Sequence, residues 1–410
     1  MTKKPNQLYC RLILLLVIGY VVLQCCSFYL MDIANMKPRD DSVNRNITKY
    51  LNIIYPFMMD VNTAQMISNE RKFSPLENSS AIIVIQVHKA TSYLPRLIES
   101  LSHANGISDV LLIFSYDFFD EQTYDSVLAI EFCKVMQIFY PHSIQLYPHS
   151  FPGTDPNDCP RKMSKLKALI MNCNNALSPD LHGNYRDARY TEKKHHWWWK
   201  ANYVFHKLEV TKNFTGLVLF LEEDDIVAED FLFVLYKMQK FAKKLCSHCN
   251  IFSLGSDLGS LKPNSTRDDN AYSKVQYAAW SSEQHAVAVA FNASTWSEIH
   301  TCAQEFCAYD DYNWDKSLDY IGETCIRGGL NVLTVKKSRV YSTRNSSYLN
   351  MFKANLEFSS ASKLGQLYPT TLKLSRSILK AATKQPIEVI KSGEWSDPRD
   401  HRLCLNAAYA

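Results

Sequence analysis

Four consecutive carboxylates, Glu222, Glu223, Asp224 and Asp225, follow directly on the five-residue apolar run Leu217 to Leu221. Adjacent acids repel one another unless a cation or hydrogen-bond donors answer them, and carboxylate oxygens are the ligands that hard divalent cations take. A short apolar run of this kind reads as a buried strand, and open α/β sheets bind ligands outside the carboxyl ends of such strands. The stretch therefore points to a metal or phosphate role. The competing reading is a solvated acidic turn opening a helix near Ala228, because acids are favourable at a helix N-terminus.

Other stretches concentrate related groups. Asp117 ends the apolar run Val110 to Tyr116, where a carboxylate either accepts from a ribose hydroxyl or a base N–H, or caps a turn or helix. Gln86 and His88 close an earlier run, and strand alternation puts both on one face unless the strand has already broken. His195, His196, Trp197, Trp198, Trp199 and Lys200 are contiguous. Three adjacent indoles cannot share one helix face, so at least one reaches a pocket or a second core. An indole stacks on a base or sugar and Lys200 suits a diphosphate; core packing is the alternative for each ring. In Tyr309, Asp310, Asp311, Tyr312, Asn313, Trp314 and Asp315, aromatic faces sit among acceptors, the combination that suits a carbohydrate. Asp315 either caps the adjoining helix or serves as a general base toward a sugar hydroxyl. The chain contains neither a hydrolase serine elbow nor an HExxH motif.

Positioning these groups requires strands whose carboxyl ends lie together. AIIVIQVH and DVLLIFSYD read as buried strands around a helix, TSYLPRLIESLSHA, that begins near Thr91. A helix around Tyr124 to Cys133 leads to a third strand, VMQIFYPH. This alternation predicts right-handed crossovers in a doubly wound sheet of nucleotide-binding type. Downstream, KMSKLKALIMNC, HHWWWKANYVFHKLEV and DFLFVLYKMQKFAKKL read as helices, and NIFSLGS, AVAVAF and LNVLTV as strands. YDDYNWDKSLDYI is a loop turning into a helix, and the residues after the last strand read as a polar tail. No glycine-rich dinucleotide fingerprint succeeds Ile85 or Phe114, which removes the main support for a nicotinamide or flavin.

With 410 residues, 46% of them apolar, the chain can bury a large core in one large or two smaller domains. A formal charge of +4 without a long basic block gives nucleic-acid binding little support. Lys3, Lys4 and Arg11 precede the apolar run Leu12 to Leu30, long enough to span a bilayer with the basic end in the cytosol. An uncleaved anchor is favoured over a cleaved signal peptide, since the run carries no clear small-residue cleavage box. The layout is a tail over residues 1–11, an anchor over 12–30, a stem over 31–77 and a lumenal domain over 78–410. Nine cysteines lie beyond the anchor, together with sequons at Asn46, Asn78, Asn213, Asn264, Asn292 and Asn345. Nine is odd, so at least one thiol is unpaired or intermolecular, and Cys133 before VMQIF is the best free candidate. Cys159 and Cys173 bracket a helix that they would staple. Cys246 and Cys249 fit half a zinc site, a redox pair or, favoured by an oxidising lumen, a local disulfide.

Taken together, QVHKATSYLPRLIESL, LLIFSYDFF, SIQLYPHSFPGTDPNDCP, TEKKHHWWWK, FLEEDD, CAYDDYNWDKSL and GEWSDPRDHRLC resemble the N-acetylglucosaminyltransferase II family over about residues 80 to 335 and the tail. The resemblance implies a single-pass type II Golgi membrane protein whose lumenal domain has a GT-A fold, a doubly wound mixed sheet. It implies transfer of N-acetylglucosamine from UDP-GlcNAc to O2 of the α1,6-arm mannose of an N-glycan acceptor, with inversion and Mn²⁺. It assigns Gln86, Val87, His88, Lys89, Ala90, Asp117, Lys193, Lys194, His195, His196 and Trp197 to the nucleotide donor. Asp224 becomes the metal ligand, Asp315 the catalytic base and Trp314 a wall of the acceptor pocket; Asp225, which departs from the family, is a candidate second ligand by its own chemistry. The implied disulfides are Cys159 with Cys173, Cys246 with Cys249, Cys302 with Cys325 and Cys307 with Cys404.

Two departures from the family pattern bear on activity. Ser342 stands where the family has a metal-ligating histidine, and a hydroxyl is a poor Mn²⁺ ligand beside an imidazole. Asp225 replaces a histidine in the acidic run. The expectation is therefore an active transferase whose activity the serine puts in doubt, the alternative being a weakly active or inactive relative that binds nucleotide or glycan.

Overall fold

The computed structural model describes residues 19–20, 24, 41–88, 93–246, 248–255, 271–343, 367–375 and 392–409. Met1–Ile53 and Ile54–Ala410 form two units, and the sheet and the site lie in the second. Among the described residues no helix is long and apolar enough to cross a membrane, and the anchor expected at 12–30 falls mostly outside them.

In chain order the unit contains the end of α1 (Asp41–Ala64), β1 (Ile67–Ser68), β2 (Ala81–Val87), α2 (Leu94–Ser102), β3 (Leu111–Tyr116), α3 (Glu121–Leu128) and β4 (Lys134–Phe139). Next come α4 (Lys165–Met171), α5 (Ala188–His206), β5 (Leu217–Glu222), β6 (Asp225–Val227), α6 (Phe231–Leu245), β7 (Ile251–Ser253) and β8 (Lys274–Ala279). The chain continues through α7 (Ser282–His285), β9 (Val289–Phe291), α8 (Ala293–Thr301), α9 (Ala303–Ala308), α10 (Trp314–Thr324), β10 (Asn331–Val335), β11 (Val340–Ser342), β12 (Lys373–Leu374) and α11 (Pro398–Tyr409).

The described strands form a ten-stranded sheet in the order β1-β4-β3-β2-β5-β9-β7-β10-β8-β12, and β6 pairs with β11 in a separate ribbon. β4, β3, β2 and β5 run parallel, while β9 lies antiparallel between β5 and β7. This is the doubly wound mixed sheet of a GT-A-like fold. Every residue of β2, β3 and β4 is buried, which is why these strands read as continuous apolar runs. Asn62 of α1 closes the end of β4 with two reciprocal 2.7 Å bonds to the backbone of Phe139.

Three expectations change. The helix predicted from Thr91 starts at Leu94, where Pro95 supplies a fixed φ in the first turn. Lys274–Ala279, not among the expected strands, is a strand because it pairs with β10 on one side and β12 on the other. The polar tail contains α11, which packs on α5 and buries Asp400, Cys404 and Ala408. Its polar composition hides one apolar stripe whose partner lies far away in sequence.

The four implied disulfides are all formed: Cys159–Cys173, Cys246–Cys249, Cys302–Cys325 and Cys307–Cys404. Cys246 and Cys249 are thus a local disulfide. Cys133 is free and buried, and burial pushes its thiol up to about 12.

Candidate active site

β2, β3 and β5 are in register, so Gln86 lies opposite Ser115 on one side and Glu222 on the other. Residues just past these strand ends therefore converge whatever their separation in sequence. His88 comes directly after the last residue of β2, and with the strand ended its Nε2 lies 3.0 Å from Gln86 Nε2 and 3.7 Å from Glu222 Oε2. Its Nδ1 makes a short contact with Asp117 Oδ2, and its backbone N–H donates to Glu223 Oε2 at 2.7 Å. His196 enters from α5, with Nε2 2.8 Å from Ser115 Oγ and Nδ1 3.6 Å from Asp117 Oδ2. That buried Nδ1 has no hydrogen-bond partner.

Burial would lower the His88 pKa, but Asp117 and Glu222 outweigh it and raise it well above the ordinary imidazole value. Burial likewise disfavours the Asp117 carboxylate, yet His88 and His196 hold it far below its usual range. His196 goes the other way, pushed down to about 4 by burial against the pull of Asp117. Burial raises Glu223 to about 8, opposed by His88. The cluster thus mixes a charged pair with an imidazole that stays neutral and an acid whose charge is poorly solvated.

Candidate ligand atoms of His88, Asp117 and His196 all lie within 4.8 Å of one another. Two imidazoles and a carboxylate are a donor set that divalent first-row cations accept, and the orphaned His196 nitrogen fits such a ligand. This corrects the doubt about activity that rested on Ser342. The described residues hold an intact His/His/Asp cluster with no serine in it, so imidazole ligands are not missing from the site.

Ser342 has a different place. The β6–β11 ribbon sets it opposite Asp225, and its hydroxyl donates to Asp224 Oδ2 at 3.1 Å. The Asp224 carbonyl accepts from Thr343 N–H at 2.7 Å and from the Thr343 hydroxyl at 2.8 Å. Asp225 Oδ2 accepts from Glu222 N–H at 2.9 Å, closing the tight turn between β5 and β6. The solvated acidic turn is excluded, because Glu223, Asp224 and Asp225 are all at most 3% exposed. A cavity of about 170 Å³ brings together Glu222, Asp224, Asp225, Ser342, Trp197 and Trp314. A larger one, about 430 Å³, opens between the C-terminal turns of α5 and α11 and has no carboxylate in its lining.

Asp315 lies inside the first turn of α10, whose N-cap is Asn313. It is half-buried, and burial raises its carboxyl to about 6. Of the predicted donor residues on α5, Lys193 is exposed, whereas Lys194 is fully buried and donates to the carbonyls of Tyr309 at 3.1 Å and Asp311 at 2.9 Å. His195 turns to Asp400, 2.8 Å away, and packs on Trp395. Trp198 stacks on Phe306 in the core, Trp199 stacks on Tyr203 and lines the larger cavity, and Trp197 is the indole that reaches the acid-lined one. Val87 is buried in β2, and Lys89 and Ala90 lie outside the described residues.

One group named from the sequence stands elsewhere, and one supporting group was not named at all. Lys200, expected at a diphosphate, is buried with its ammonium on Gln86 Oε1, and burial lowers it to about 8. Asp400 accepts from Arg186 Nε at 2.7 Å as well as from His195. That both charges are buried has no signal in any local pattern.

The family profile of N-acetylglucosaminyltransferase II (MGAT2) matches residues 56–404. The alpha-1,6-mannosyl-glycoprotein 2-beta-N-acetylglucosaminyltransferase of Sus scrofa is 37% identical over 375 residues, covering 88% of this chain and 79% of the relative. The enzymes of the same description from Rattus norvegicus and Homo sapiens are 36% and 34% identical, each across 90% of this chain and 82% and 81% of their own lengths.

Proposed function

Because the chain belongs to the N-acetylglucosaminyltransferase II family, we propose that it transfers N-acetylglucosamine from UDP-GlcNAc to the 2-hydroxyl of the α1,6-arm mannose of an N-glycan. The observation that carries this reading is the meeting of Asp224, Trp197 and Trp314 around one cavity beside the His88, Asp117 and His196 cluster.

The nucleotide is assigned to the β2 and β3 ends, through Gln86 to Ala90 and Asp117, and to His196 and Trp197 on α5, since Lys194 and His195 of the same helix are turned to the Tyr309–Asp311 carbonyls and to Asp400. Asp224, with Asp225 beside it, and the His/His/Asp cluster are the groups suited to Mn²⁺. When bound, the cation supplies positive charge to the diphosphate that leaves. Asp315 is the base: it takes the proton of the mannose 2-hydroxyl as that oxygen bonds to C1 of the sugar. The C1–O bond to UDP breaks on the opposite face, its electron pair leaves with the diphosphate, and the anomeric centre inverts. A carboxyl raised to about 6 is ionised at neutral pH yet more basic than an exposed aspartate, as proton abstraction requires. Trp314 forms a wall against the apolar face of the acceptor sugar.

The site is assigned to the lumenal side of the Golgi membrane. The basic-then-apolar N-terminus supports that topology, and the four disulfides suit an oxidising compartment. The decisive experiment incubates the lumenal domain with UDP-GlcNAc, Mn²⁺ and a hybrid N-glycan and measures mass. Gain of one N-acetylhexosamine at the α1,6 arm is expected; UDP binding with no mass gain overturns the assignment.

A further inference from the structure

Lys194 is a lysine with no exposed surface, and burial lowers its ammonium to about 7. Two of its three donors meet the carbonyls of Tyr309 and Asp311, and its Nζ sits 4.2 Å from the ring centre of Trp395 and 5.1 Å from that of Phe306. No carboxylate lies within ion-pair distance of it among the described residues. Burying an ammonium is costly, and here carbonyl dipoles and aromatic faces are what offset it. Such an arrangement is tolerated where it fixes something the fold needs in one position.

What it fixes is the turn that launches α10. Asp311 Oδ1 accepts from Asn313 N–H at 2.8 Å, and its Oδ2 accepts from Ser392 N–H at 2.6 Å. Asp310 accepts from Trp395 N–H at 3.1 Å, and the Trp395 indole donates to the Cys307 carbonyl at 2.8 Å. Gly393, at φ +76°, completes this brace, because a Cβ there would overlap the Asp180 carboxylate. The Asn313 side chain caps no N–H of α10, so the direction in which the helix starts is set by this turn. Trp314 and Asp315 are its first two residues.

We propose that Lys194 is a positioning residue, a post that ties α5 to the Tyr309–Asn313 turn and so sets where Asp315 stands relative to the donor-side residues His196 and Trp197. The inference rests on the assignment of Asp315 as the base. Lys194 touches neither substrate nor reacting atoms; it acts through the turn.

The test compares Lys194→Met, which keeps the length but removes the donors, with Lys194→Arg, Asp315→Asn and the double variant, in the intact lumenal domain. Displacement of a base by an ångström costs on the order of a hundredfold. Lys194→Met is expected to lower kcat roughly ten- to a hundredfold while the UDP dissociation constant by calorimetry stays within about twofold. Lys194→Arg is expected to recover most of that loss, and adding Lys194→Met to Asp315→Asn is expected to cost nothing further. Unchanged kcat in Lys194→Met, or UDP affinity falling in step with kcat, overturns the positioning role. If Lys194→Met does not fold, as judged by its thermal transition, Lys194→Gln, whose shorter amide cannot span both carbonyls, carries the test: reduced kcat with unchanged UDP affinity supports the post, and unchanged kcat or weakened UDP binding overturns it. Wild-type turnover in Asp315→Asn would instead overturn the base assignment beneath it.

Discussion

Trp197 of α5 and Trp314 of α10 lie face to face, ring centres 4.2 Å apart and planes 2° from parallel, at the wall of the cavity that holds Asp224. One belongs to the helix that carries His196, the other stands next to Asp315. The stack therefore joins α5 to α10 at the cavity wall through two rigid groups, and an aromatic pair of this kind adds about 0.5–1.5 kcal/mol beyond its buried area.

Separating the two rings should divide stability from acceptor binding. Trp197 is almost wholly buried, so Trp197→Ala is expected to cost about 3–5 kcal/mol in urea unfolding. Trp314 is half-buried, and Trp314→Ala is expected to leave a folded protein whose KM for the glycan rises more than its KM for UDP-GlcNAc. A larger effect on the donor KM would remove Trp314 from the acceptor wall.

The pH dependence of transfer should carry the mark of Asp315. Burial raises its carboxyl to about 6, and a base works only when deprotonated, so kcat is expected to rise with pH through about 6 and level off above it. Asp315→Asn should lower kcat by roughly 10²–10⁴ and abolish that limb. An acidic limb that survives in the asparagine variant would belong to another group.

Chelation and substitution at the acids test the metal reading together. Removing divalent cations with EDTA should stop transfer and Mn²⁺ should restore it. Asp224→Ala should raise the Mn²⁺ concentration needed for half-maximal rate by roughly 10–100-fold, with His196→Ala acting in the same direction. UDP affinity indifferent both to Mn²⁺ and to Asp224→Ala would sink it.

The disulfides should differ widely in what their loss costs. Cys307–Cys404 closes 97 residues and ties α11 to α9, so Cys404→Ser is expected to lower stability by about 4 kcal/mol and expose the C-terminal helix to proteolysis. Cys246–Cys249 spans only 3 residues, and Cys249→Ser should leave the melting temperature nearly unchanged. Equal shifts in the two variants would mean that loop closure is not the source of the stabilisation.

Strands buried on both faces were legible because burial forces a continuous apolar run, and the acids that end LVLFL were legible because nothing else in the chain places four charges against a core. The long, specific motifs carried the family, the fold class and the cysteine pairing. Helix α11 and strand β8 were not legible, since each is held by partners elsewhere in the chain, α5 in one case and β10 with β12 in the other.

The sequence by itself determined which acids, imidazoles and indoles stand at strand and helix ends, because polarity switches at those ends are local. Which of them meet was decided only by the tertiary structure. Sheet register brings His88 to Asp117 and Glu222, α5 brings His196 to Asp117 and Ser115, and the β6–β11 ribbon sets Ser342 on Asp224. The same helix turns His195 away toward Asp400 and sinks Lys194 beneath the turn that starts α10, although the three residues are contiguous. The reason is geometric: successive residues on a helix point about 100° apart, so neighbours in sequence part company and only packing decides what each one faces.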